Sequence, residues 1–336
     1  MRWLITGGAG FIGTNLVEHV LQRGDDVVIV DDLSRSGSEI NAAFLAAAHG
    51  SQVNRIDISR ESKLGVFFAS QEPFDAIAHV AGQVSLLASL EDPRRDFEIN
   101  ALGTLNILEH VRLNSPETVV IGMSSNKVYG DLLQVEVVEE ATRYVTPDYP
   151  NGFNEDMPLE FHGPYGCSKG TADQYLLDYG RMFNLKTASL RQSSVYGPHQ
   201  HPRSDQGWVA HMIEEAIAGR TIQLNGVGKQ VRDLLHATDL ARLFVALAES
   251  LEAGTPRAVN VGGGVDNSLS ILELFAWIKR EAGIDVDYRT GPPRPSDQLV
   301  YISDLTAVTE LTGWKPEVTL EKGLGSLLAG LVKANP

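Results

Sequence analysis

A tyrosine and a lysine stand four residues apart in this chain, at Tyr165 and Lys169. On a helix, that spacing places both side chains on one face. A phenol beside an ammonium is a candidate proton-transfer pair, because a tyrosine with an ordinary pKa of about 10 is a poor base at neutral pH and needs an adjacent cation. The same spacing also occurs in surface helices, so the pair gains meaning only from the rest of the chain.

A serine completes this set. Ser125 follows the apolar run 119–123, which predicts a buried strand, and ligands of open α/β sheets bind at the carboxyl ends of strands. We therefore predict Ser125, Tyr165 and Lys169 as catalytic residues. In this interpretation the tyrosinate takes a proton from a substrate hydroxyl, Lys169 lowers the pKa of the phenol, and Ser125 orients the reacting oxygen.

The amino-terminal segment carries a glycine-rich turn between a predicted strand and a predicted helix. Glycines in this context allow a tight turn and let a pyrophosphate approach the amides at the helix N-terminus. The segment therefore predicts a dinucleotide site. Its predicted cofactor residues are Gly7, Gly10, Phe11, Ile12 and Gly13.

Acidic residues at the end of the second predicted strand indicate which dinucleotide is bound. Asp31 can accept hydrogen bonds from the adenosine ribose, and together with Asp32 it would repel the extra phosphate of NADP, although Arg35 could offset part of this repulsion. We therefore predict NAD. Four further residues, in segments that suit ordinary loops equally well, are predicted to line the cofactor: Asp57, Ile58, Ala81 and Gln83.

A layered fold must position these residues. Apolar, β-branched runs alternate with helical patterns through the first two thirds of the chain, which predicts an α/β protein with a Rossmann-type, doubly wound parallel sheet. Turn-rich segments further on predict a smaller, interleaved C-terminal lobe that binds substrate. We assign 1–190 and 234–262 to the NAD-binding domain, and 191–233 and 263–336 to the lobe. The long connection 131–163 is expected to cover the site.

Composition excludes several classes of function. The 336-residue chain has a net charge of −15, which argues against nucleic-acid binding, and its lone cysteine, Cys167, excludes an internal disulfide. It has no apolar stretch long enough for a membrane span and begins directly with the first strand and glycine-rich turn, so we expect a cytoplasmic protein without a signal peptide. His199 and His201 lack further ligands in a metal-binding pattern, so we predict no metal site.

The motifs together resemble a known family. They look like an extended short-chain dehydrogenase/reductase of the nucleotide-sugar epimerase/dehydratase group, on the evidence of the glycine-rich turn, Asp31, Asn100, Tyr165-x-x-x-Lys169, 191–197 and 311–316. The resemblance implies tightly held NAD, which Asn100, Tyr165 and Lys169 help to bind, and the catalytic residues named above. It also implies a lobe that binds a nucleoside diphosphate sugar, and a homo-oligomer, dimer or tetramer, in which helices near 94–114 and 165–183 pair between subunits.

Two features discriminate within this family. Dehydratases carry Asp-Glu where this chain has Asn126 and Lys127, so the resemblance argues against dehydration. Long motifs, among them the 131–163 insert and residues 228–233, are similar to the CDP-paratose 2-epimerase subgroup. They imply inversion at C2 of CDP-paratose to give CDP-tyvelose, or of a related CDP-hexose, through transient oxidation to a 2-keto sugar and return of the hydride.

The resemblance also implies substrate contacts in the lobe and beside the catalytic serine. The predicted substrate-binding residues are Asn126, Gln206, Arg232 and Arg294. The two arginines suit phosphate or ribose, because a planar guanidinium matches phosphate oxygens. Two alternatives stay open: an NDP-hexose 4-epimerase, which would use the same catalytic residues, and a catalytically silent NAD-binding regulatory protein.

Overall fold

The computed structural model describes residues 1–201, 207–294 and 297–334. The strands are β1 (Arg2–Thr6), β2 (Asp26–Asp31), β3 (Val53–Arg55), β4 (Ala76–His79), β5 (Val119–Met123), β6 (Val138–Glu139), β7 (Tyr144–Val145), β8 (Lys186–Gln192), β9 (Ser194–Tyr196), β10 (Ile222–Gln223), β11 (Val231–His236), β12 (Arg257–Val261), β13 (Ser268–Ser270), β14 (Tyr288–Arg289) and β15 (Val300–Tyr301).

The helices alternate with the strands along most of the chain. They are α1 (Phe11–Gln22), α2 (Ser38–His49), α3 (Glu61–Ala69), α4 (Leu86–Glu91), α5 (Pro93–Phe97), α6 (Gly103–Asn114), α7 (Gly163–Phe183), α8 (Trp208–Ile217), α9 (Ala237–Ser250), α10 (Ile271–Ala282), α11 (Thr306–Thr312) and α12 (Leu320–Ala334). No helix within the described part of the chain is long and apolar enough to cross a membrane.

A seven-stranded parallel sheet forms the centre of the molecule, in the order β12-β8-β5-β4-β1-β2-β3. Its strands are apolar on both faces because helices cover both. Ile5 packs in the core beneath α1 and α9, whereas its neighbour Leu4 points the opposite way, into the core beneath α3, α6 and α7. The predicted α/β fold with a doubly wound parallel sheet is confirmed.

The helical stretch from α5 to α6 contains a π-helical turn, Glu98–Leu102. The turn inserts an extra residue into the helical ladder, which changes the direction of the side chains on either side of it. It carries Asn100, which is buried, as is Asp96 just before it. π-helical turns frequently occur at functional sites, and this one packs against α7, the helix of the tyrosine and lysine.

A smaller lobe is built around a second sheet in which β11 pairs with β9, β13 and β15. Helices α8, α10 and α12 cover it, and its core includes Leu274, Phe275 and Trp277. The domain boundaries drawn from the sequence fall inside β8, which pairs along its length with β5 and β12 of the main sheet, and inside β11, which pairs along its length with strands of the lobe. The chain returns to the main sheet through α9 and β12.

The long connection 131–163 joins the main sheet to the lobe. Its Phe153 amide donates to the carbonyl of Ile302, and its Arg143 lies 3.0 Å from Glu273 of α10. Buried aromatic side chains, among them Phe153 and Tyr301, fix it against the short helical turn that follows β5. The insert therefore holds the lobe in position relative to the end of β5.

Candidate active site

Two hydroxyl groups meet where β5 ends. Ser125 begins a 3₁₀ turn (Asn126–Tyr129), and its Oγ accepts a hydrogen bond from the backbone N–H of Lys127 at 3.2 Å. The same side chain also acts on Tyr165, in the first turn of α7, where hydrogen bonding to Ser125 lowers the pKa of the phenol. A strand end and a helix start thus bring a serine and a tyrosine together at the end of β5.

The phenol of Tyr165 is held in its protonated form in the structure. Burial raises its pKa to about 12, the hydrogen bond to Ser125 opposes this, Asp96 adds to it and Arg35 lowers it. Tyr165 can therefore act as a base only when further positive charge reaches it. A bound nicotinamide in its oxidised form would supply such a charge.

Lys169 lies one helical turn beyond Tyr165 and is 4% exposed. Its ammonium donates to the backbone carbonyl of Met123 at 3.1 Å, at the end of β5. Burial lowers the pKa of Lys169 to about 8, and Asp96 raises it. The pKa of the phenol responds to the charges of Asp96 and Arg35, and the effect of Lys169 on it stays a prediction.

Asp96 is a buried carboxylate that sequence reasoning missed. It is 1% exposed, and its Oδ1 accepts a hydrogen bond from Asn100 Nδ2 at 3.2 Å. Its Oδ2 has no hydrogen-bond partner within the described residues. Burial raises its pKa, which Ser168 and the Lys169 ammonium oppose. The catalytic pair therefore has a negative charge immediately behind it.

A network of hydrogen bonds between uncharged groups lies near Lys169. His79 Nδ1 lies 2.8 Å from Thr6 Oγ1, and its Nε2 lies 3.0 Å from Thr104 Oγ1. Complete burial and the nearby Lys169 lower the pKa of His79 to about 3, so its imidazole stays neutral. Thr104 in turn donates to the Asn100 carbonyl at 2.6 Å. These contacts tie β1 and β4 to the π-helical turn without adding charge.

A groove runs along the carboxyl ends of β1, β2 and β4. Nine of the predicted cofactor residues line it: Gly7, Gly10, Phe11, Ile12, Asp31, Asp32, Asp57, Ile58 and Ala81. A Cβ at Gly7 would come within 2.6 Å of the Ala81 amide nitrogen, so only glycine allows this approach. Asp31 accepts the amides of Ala9 at 3.0 Å and Leu33 at 2.8 Å, which leaves lone pairs on both oxygens for a ribose.

These features fit NAD. The groove begins at the N-terminus of α1, where amides and the helix dipole suit a pyrophosphate, and it passes an acidic residue at the place of the adenosine ribose. Burial raises the pKa of Asp31, and the amides of Leu33 and Ala9 lower it. Carboxylates there disfavour the additional phosphate of NADP.

Besides Tyr165 and Lys169, three predicted cofactor residues lie outside the lining of the groove. Gly13 lets α1 pack closely, since a Cβ there would lie 2.1 Å from the Gly7 carbonyl oxygen. Gln83 donates its backbone N–H to Asn100 Oδ1 at 2.9 Å, and Asn100 Nδ2 donates to the Gln83 carbonyl at 3.1 Å. The pair Gln83 and Asn100 thus shapes the loop that follows β4.

The adenosine end of the groove has an arginine that the sequence did not single out. Arg95 Nη2 lies 2.9 Å from Asp57 Oδ2 and 3.7 Å from Asp32 Oδ2. Its Nη1 also donates to Ser59 Oγ at 2.8 Å. Asp57 is therefore fixed by a partner on α5, and only three-dimensional packing brings the two together.

The lobe contains a second pocket of about 370 Å³, lined by Trp208, Arg232, Arg294 and Asp297 among others. Arg232 Nη2 donates to Asp297 Oδ1 at 2.7 Å. The volume lies in the range of small-molecule sites. The structure thus brings both predicted arginines to one pocket.

The two remaining predicted substrate residues have different outcomes. Asn126 is buried, and its Nδ2 donates to Gln298 Oε1 at 2.8 Å, which links the end of β5 to the lobe. Gln206 lies outside the described residues.

Of the two histidines considered for a metal, His199 contacts Glu18 at 2.7 Å and His201 contacts Asn41 at 3.1 Å. No group of three or more His, Cys, Asp or Glu side chains in the described ranges could hold a metal ion.

Comparison with known proteins gives consistent results over nearly the whole chain. The sequence profile of the NAD dependent epimerase/dehydratase family matches residues 3–262. The chain is 41% identical over 329 residues to the CDP-paratose 2-epimerase of Salmonella typhi, covering 96% of this chain and 97% of that protein. It is 34% identical over 324 residues to the UDP-glucose 4-epimerase of Mycolicibacterium smegmatis, covering 96% of each.

Solved structures show the same architecture. The UDP-glucose 4-epimerase of Thermotoga maritima, determined with UDP-glucose, superposes with a TM-score of 0.84 at 29% identity and covers all of both chains. The UDP-glucose 4-epimerase of Thermus thermophilus, determined with NAD, has a TM-score of 0.84 at 30% identity, over 99% of this chain and 100% of the other.

Proposed function

The chain belongs to the NAD dependent epimerase/dehydratase family and is an NAD-dependent nucleotide-sugar epimerase; on this premise we propose that it inverts C2 of a CDP-hexose, converting CDP-paratose to CDP-tyvelose. The observation that carries the C2 assignment is the 41% identity to a CDP-paratose 2-epimerase, and the contact between Ser125 and Tyr165 at the end of β5 supports the catalytic chemistry. This contact lies where an α/β sheet binds its ligands, with the nucleotide-sized pocket of the lobe beyond it.

Each residue of the site has a definite task in this proposal. Tyr165 removes the proton of the C2 hydroxyl, and Ser125 donates a hydrogen bond to the oxygen as it becomes a ketone. Lys169 contributes positive charge and would hold the nicotinamide ribose. NAD held in the groove along β1, β2 and β4 would supply the acceptor for the hydride from the sugar carbon and the donor for its return. The neutral His79 and the buried Asn100 keep the floor of the site rigid.

The lobe would hold the nucleoside diphosphate. The pocket with Arg232 and Arg294 offers guanidinium groups for the phosphates. Relatives of known structure bind nucleotide sugars, UDP-glucose in the Thermotoga maritima enzyme. We propose a CDP-sugar here because the 41% identical relative is a CDP-paratose 2-epimerase. A cytoplasmic location stays a prediction from the sequence.

A second candidate is 4-epimerisation of an NDP-hexose. Its support is the similarity to UDP-glucose 4-epimerases in both sequence and structure. The catalytic residues serve C2 and C4 equally, so the difference must lie in how the sugar is presented. A silent regulatory protein is disfavoured, because Ser125 and Tyr165 are both present and in contact.

We also propose that the protein forms a homodimer through α4 to α7. Large apolar side chains are exposed on these helices: Leu87, Leu90, Phe97, Leu113, Tyr175, Met182 and Phe183. Exposed apolar side chains grouped on neighbouring helices are typical of an interaction surface. Pairing of the same helices in two copies would cover them.

The proposed function is tested by incubating the purified protein with CDP-, UDP-, dTDP- and GDP-hexoses and determining product stereochemistry by NMR. Inversion at C2 of CDP-paratose supports the proposal, and inversion confined to C4 establishes the second candidate. Replacing Tyr165 by Phe should lower kcat by about 10²- to 10⁴-fold, because it removes the general base. Unchanged turnover in that variant contradicts the catalytic assignment, and no turnover in the parent protein with any sugar favours the regulator.

A further inference from the structure

Lys127 connects the catalytic serine to the lobe. Its backbone N–H donates to Ser125 Oγ at 3.2 Å. Its ammonium lies 3.7 Å from Asp297 Oδ1, the same oxygen that Arg232 contacts at 2.7 Å. Lys127 therefore contacts Ser125 through its backbone and the charged groups of the nucleotide pocket through its side chain.

The charged groups around Lys127 are only partly compensated by one another. Its side chain is 21% exposed, that of Arg232 is 13% exposed and that of Asp297 is 29% exposed. Burial and the nearby Arg232 lower the pKa of Lys127 to about 8, whereas Asp297 and Asp131 raise it. Two cations that share one carboxylate in a partly buried place are costly unless a further anion joins them.

The cluster has an excess of cations, which favours a phosphate ligand. Arg294 lines the same pocket as Arg232 and Asp297. Three cations, Lys127, Arg232 and Arg294, against the carboxylates of Asp297 and Asp131 leave one net positive charge. The two phosphates of a nucleoside diphosphate sugar carry one negative charge each at neutral pH. Asp131, which also faces Lys127, is itself 3.3 Å from His162 Nδ1.

We propose that Lys127 binds the sugar-proximal phosphate of the substrate beside Ser125 and Tyr165, and that this contact presents C2 of the sugar, and not C4, to Tyr165. The inference rests on the proposed function, which it deepens. It assigns the choice between C2 and C4 to one residue whose own amide touches the catalytic serine.

The geometry of the sugar explains the choice of carbon. The phosphate is attached to the anomeric carbon, C2 is bonded directly to that carbon, and C4 lies across the ring. A phosphate held by Lys127 lies close to the hydroxyls of Ser125 and Tyr165. Only a carbon next to the anomeric centre can then reach Tyr165. A phosphate held further out, by Arg232 and Arg294 alone, leaves room for the whole ring and lets C4 reach Tyr165.

A purely structural role would differ in its consequences. If Lys127 only neutralised Asp297, removing its charge would disturb the whole pocket and weaken every nucleotide alike. If it binds the sugar-proximal phosphate, the loss appears only for ligands that carry this phosphate. CMP lacks it and CDP has it, so this pair of nucleotides separates the two roles.

The first experiment measures calorimetric affinities of the NAD-loaded protein for CMP and CDP. Lys127→Met should lower the affinity for CDP about tenfold to a hundredfold, the usual scale of one hydrogen bond to a charged group. The affinity for CMP should change by less than about threefold. Lys127→Arg should restore most of the CDP affinity. Lys63→Met, which removes an exposed lysine on α3, is the matched control and should change neither affinity.

The second experiment determines product stereochemistry from CDP-paratose. The parent protein should invert C2 only, and Lys127→Met should show a raised KM and a fraction of C4-inverted product. CDP affinity that is unchanged in Lys127→Met, equal losses for CMP and CDP, or product inverted solely at C2 overturns the inference. If the parent protein binds neither nucleotide, the proposed function fails instead, so the two failures are distinguishable.

Discussion

At the scale of single residues, the site places a buried negative charge beside the proposed base, Tyr165, and its neighbouring cation, Lys169. Asp96 acts on both Tyr165 and Lys169, and it raises the pKa of each. The active form needs a deprotonated tyrosine and a protonated lysine. The pH range of activity therefore depends on a residue that stands outside the predicted catalytic set.

This placement predicts a shifted pH profile for Asp96→Asn. Without the negative charge, the pKa of Tyr165 falls, so the acidic limb of the kcat profile moves to lower pH. The pKa of Lys169 falls as well, so the basic limb moves in the same direction. Each limb should move by about one pH unit, the usual effect of a nearby charge.

The measurement is kcat against pH for the parent protein and two variants. Glu91→Gln removes an exposed carboxylate from the neighbouring helix α4 and is the control, with an unchanged profile expected. A profile in Asp96→Asn that keeps its position, or limbs that move in opposite directions, would show that Asp96 does not set these pKa values.

Sequence reasoning could find Ser125 and Tyr165 because local patterns fix their places, a strand end and a helix face. Asp96 could not be found in this way. In the run Pro93-Arg94-Arg95-Asp96 it resembles an ordinary charged residue of a surface helix, and only packing against α7 beside the π-helical turn buries it. The contact between Lys127 and Asp297 joins residues far apart in the chain and was equally hidden.

At the scale of elements, one buried ion pair fixes α7 to the sheet. Asp173, two turns beyond Tyr165, lies 2.8 Å from Arg191 Nη2 of β8, and the two side chains are 0% and 4% exposed. Asp173 also accepts from Ser189 Oγ at 2.6 Å, and Arg191 donates to the Tyr129 hydroxyl at 3.1 Å. This network sets the position of the helix that carries the base.

Removing one member of this pair should destabilise the protein strongly. Asp173→Asn leaves the Arg191 charge buried without its counter-ion, and we expect the free energy of unfolding to fall by about 3–5 kcal/mol. Glu117→Gln breaks the exposed pair with Lys186 and should cost about 1 kcal/mol or less. Urea unfolding of both variants checks this, and equal midpoints for the two would contradict the structural role of Asp173.

The fold itself was accessible from the sequence because near-continuous apolar strands and alternating helices have few other solutions. The exact ends of the strands near the domain boundaries were not accessible from the sequence. The boundaries predicted inside β8 and β11 cut through strands that each stay in one sheet, β8 in the main sheet and β11 in the lobe, and nothing in their apolar patterns marks which sheet a strand joins. Pairing partners are a property of the folded molecule.

At the scale of the whole molecule, the exposed apolar side chains on α4 to α7 predict a dimer. Met182 is 67% exposed near the end of α7. Met182→Glu should convert the dimer to monomers, because two like charges would meet at a contact made of the same surface on both copies. Leu133→Glu, at a residue 83% exposed in the 131–163 insert, should leave the assembly intact.

Sedimentation velocity of the three proteins decides the matter. A parent protein that sediments as a monomer, or a Met182→Glu variant that still forms dimers, would contradict the proposed interface. The insert control is informative because it adds the same charge to an apolar residue elsewhere on the surface.

The central claim is that one hydride leaves C2 of the sugar and returns to the same carbon, with Tyr165 moving the hydroxyl proton. The most direct measurement is the conversion of CDP-paratose that carries deuterium at C2, in ordinary water, followed by NMR of the product. The account predicts CDP-tyvelose that retains its deuterium at C2. Product inverted at C2 with hydrogen from solvent at that carbon would contradict the account.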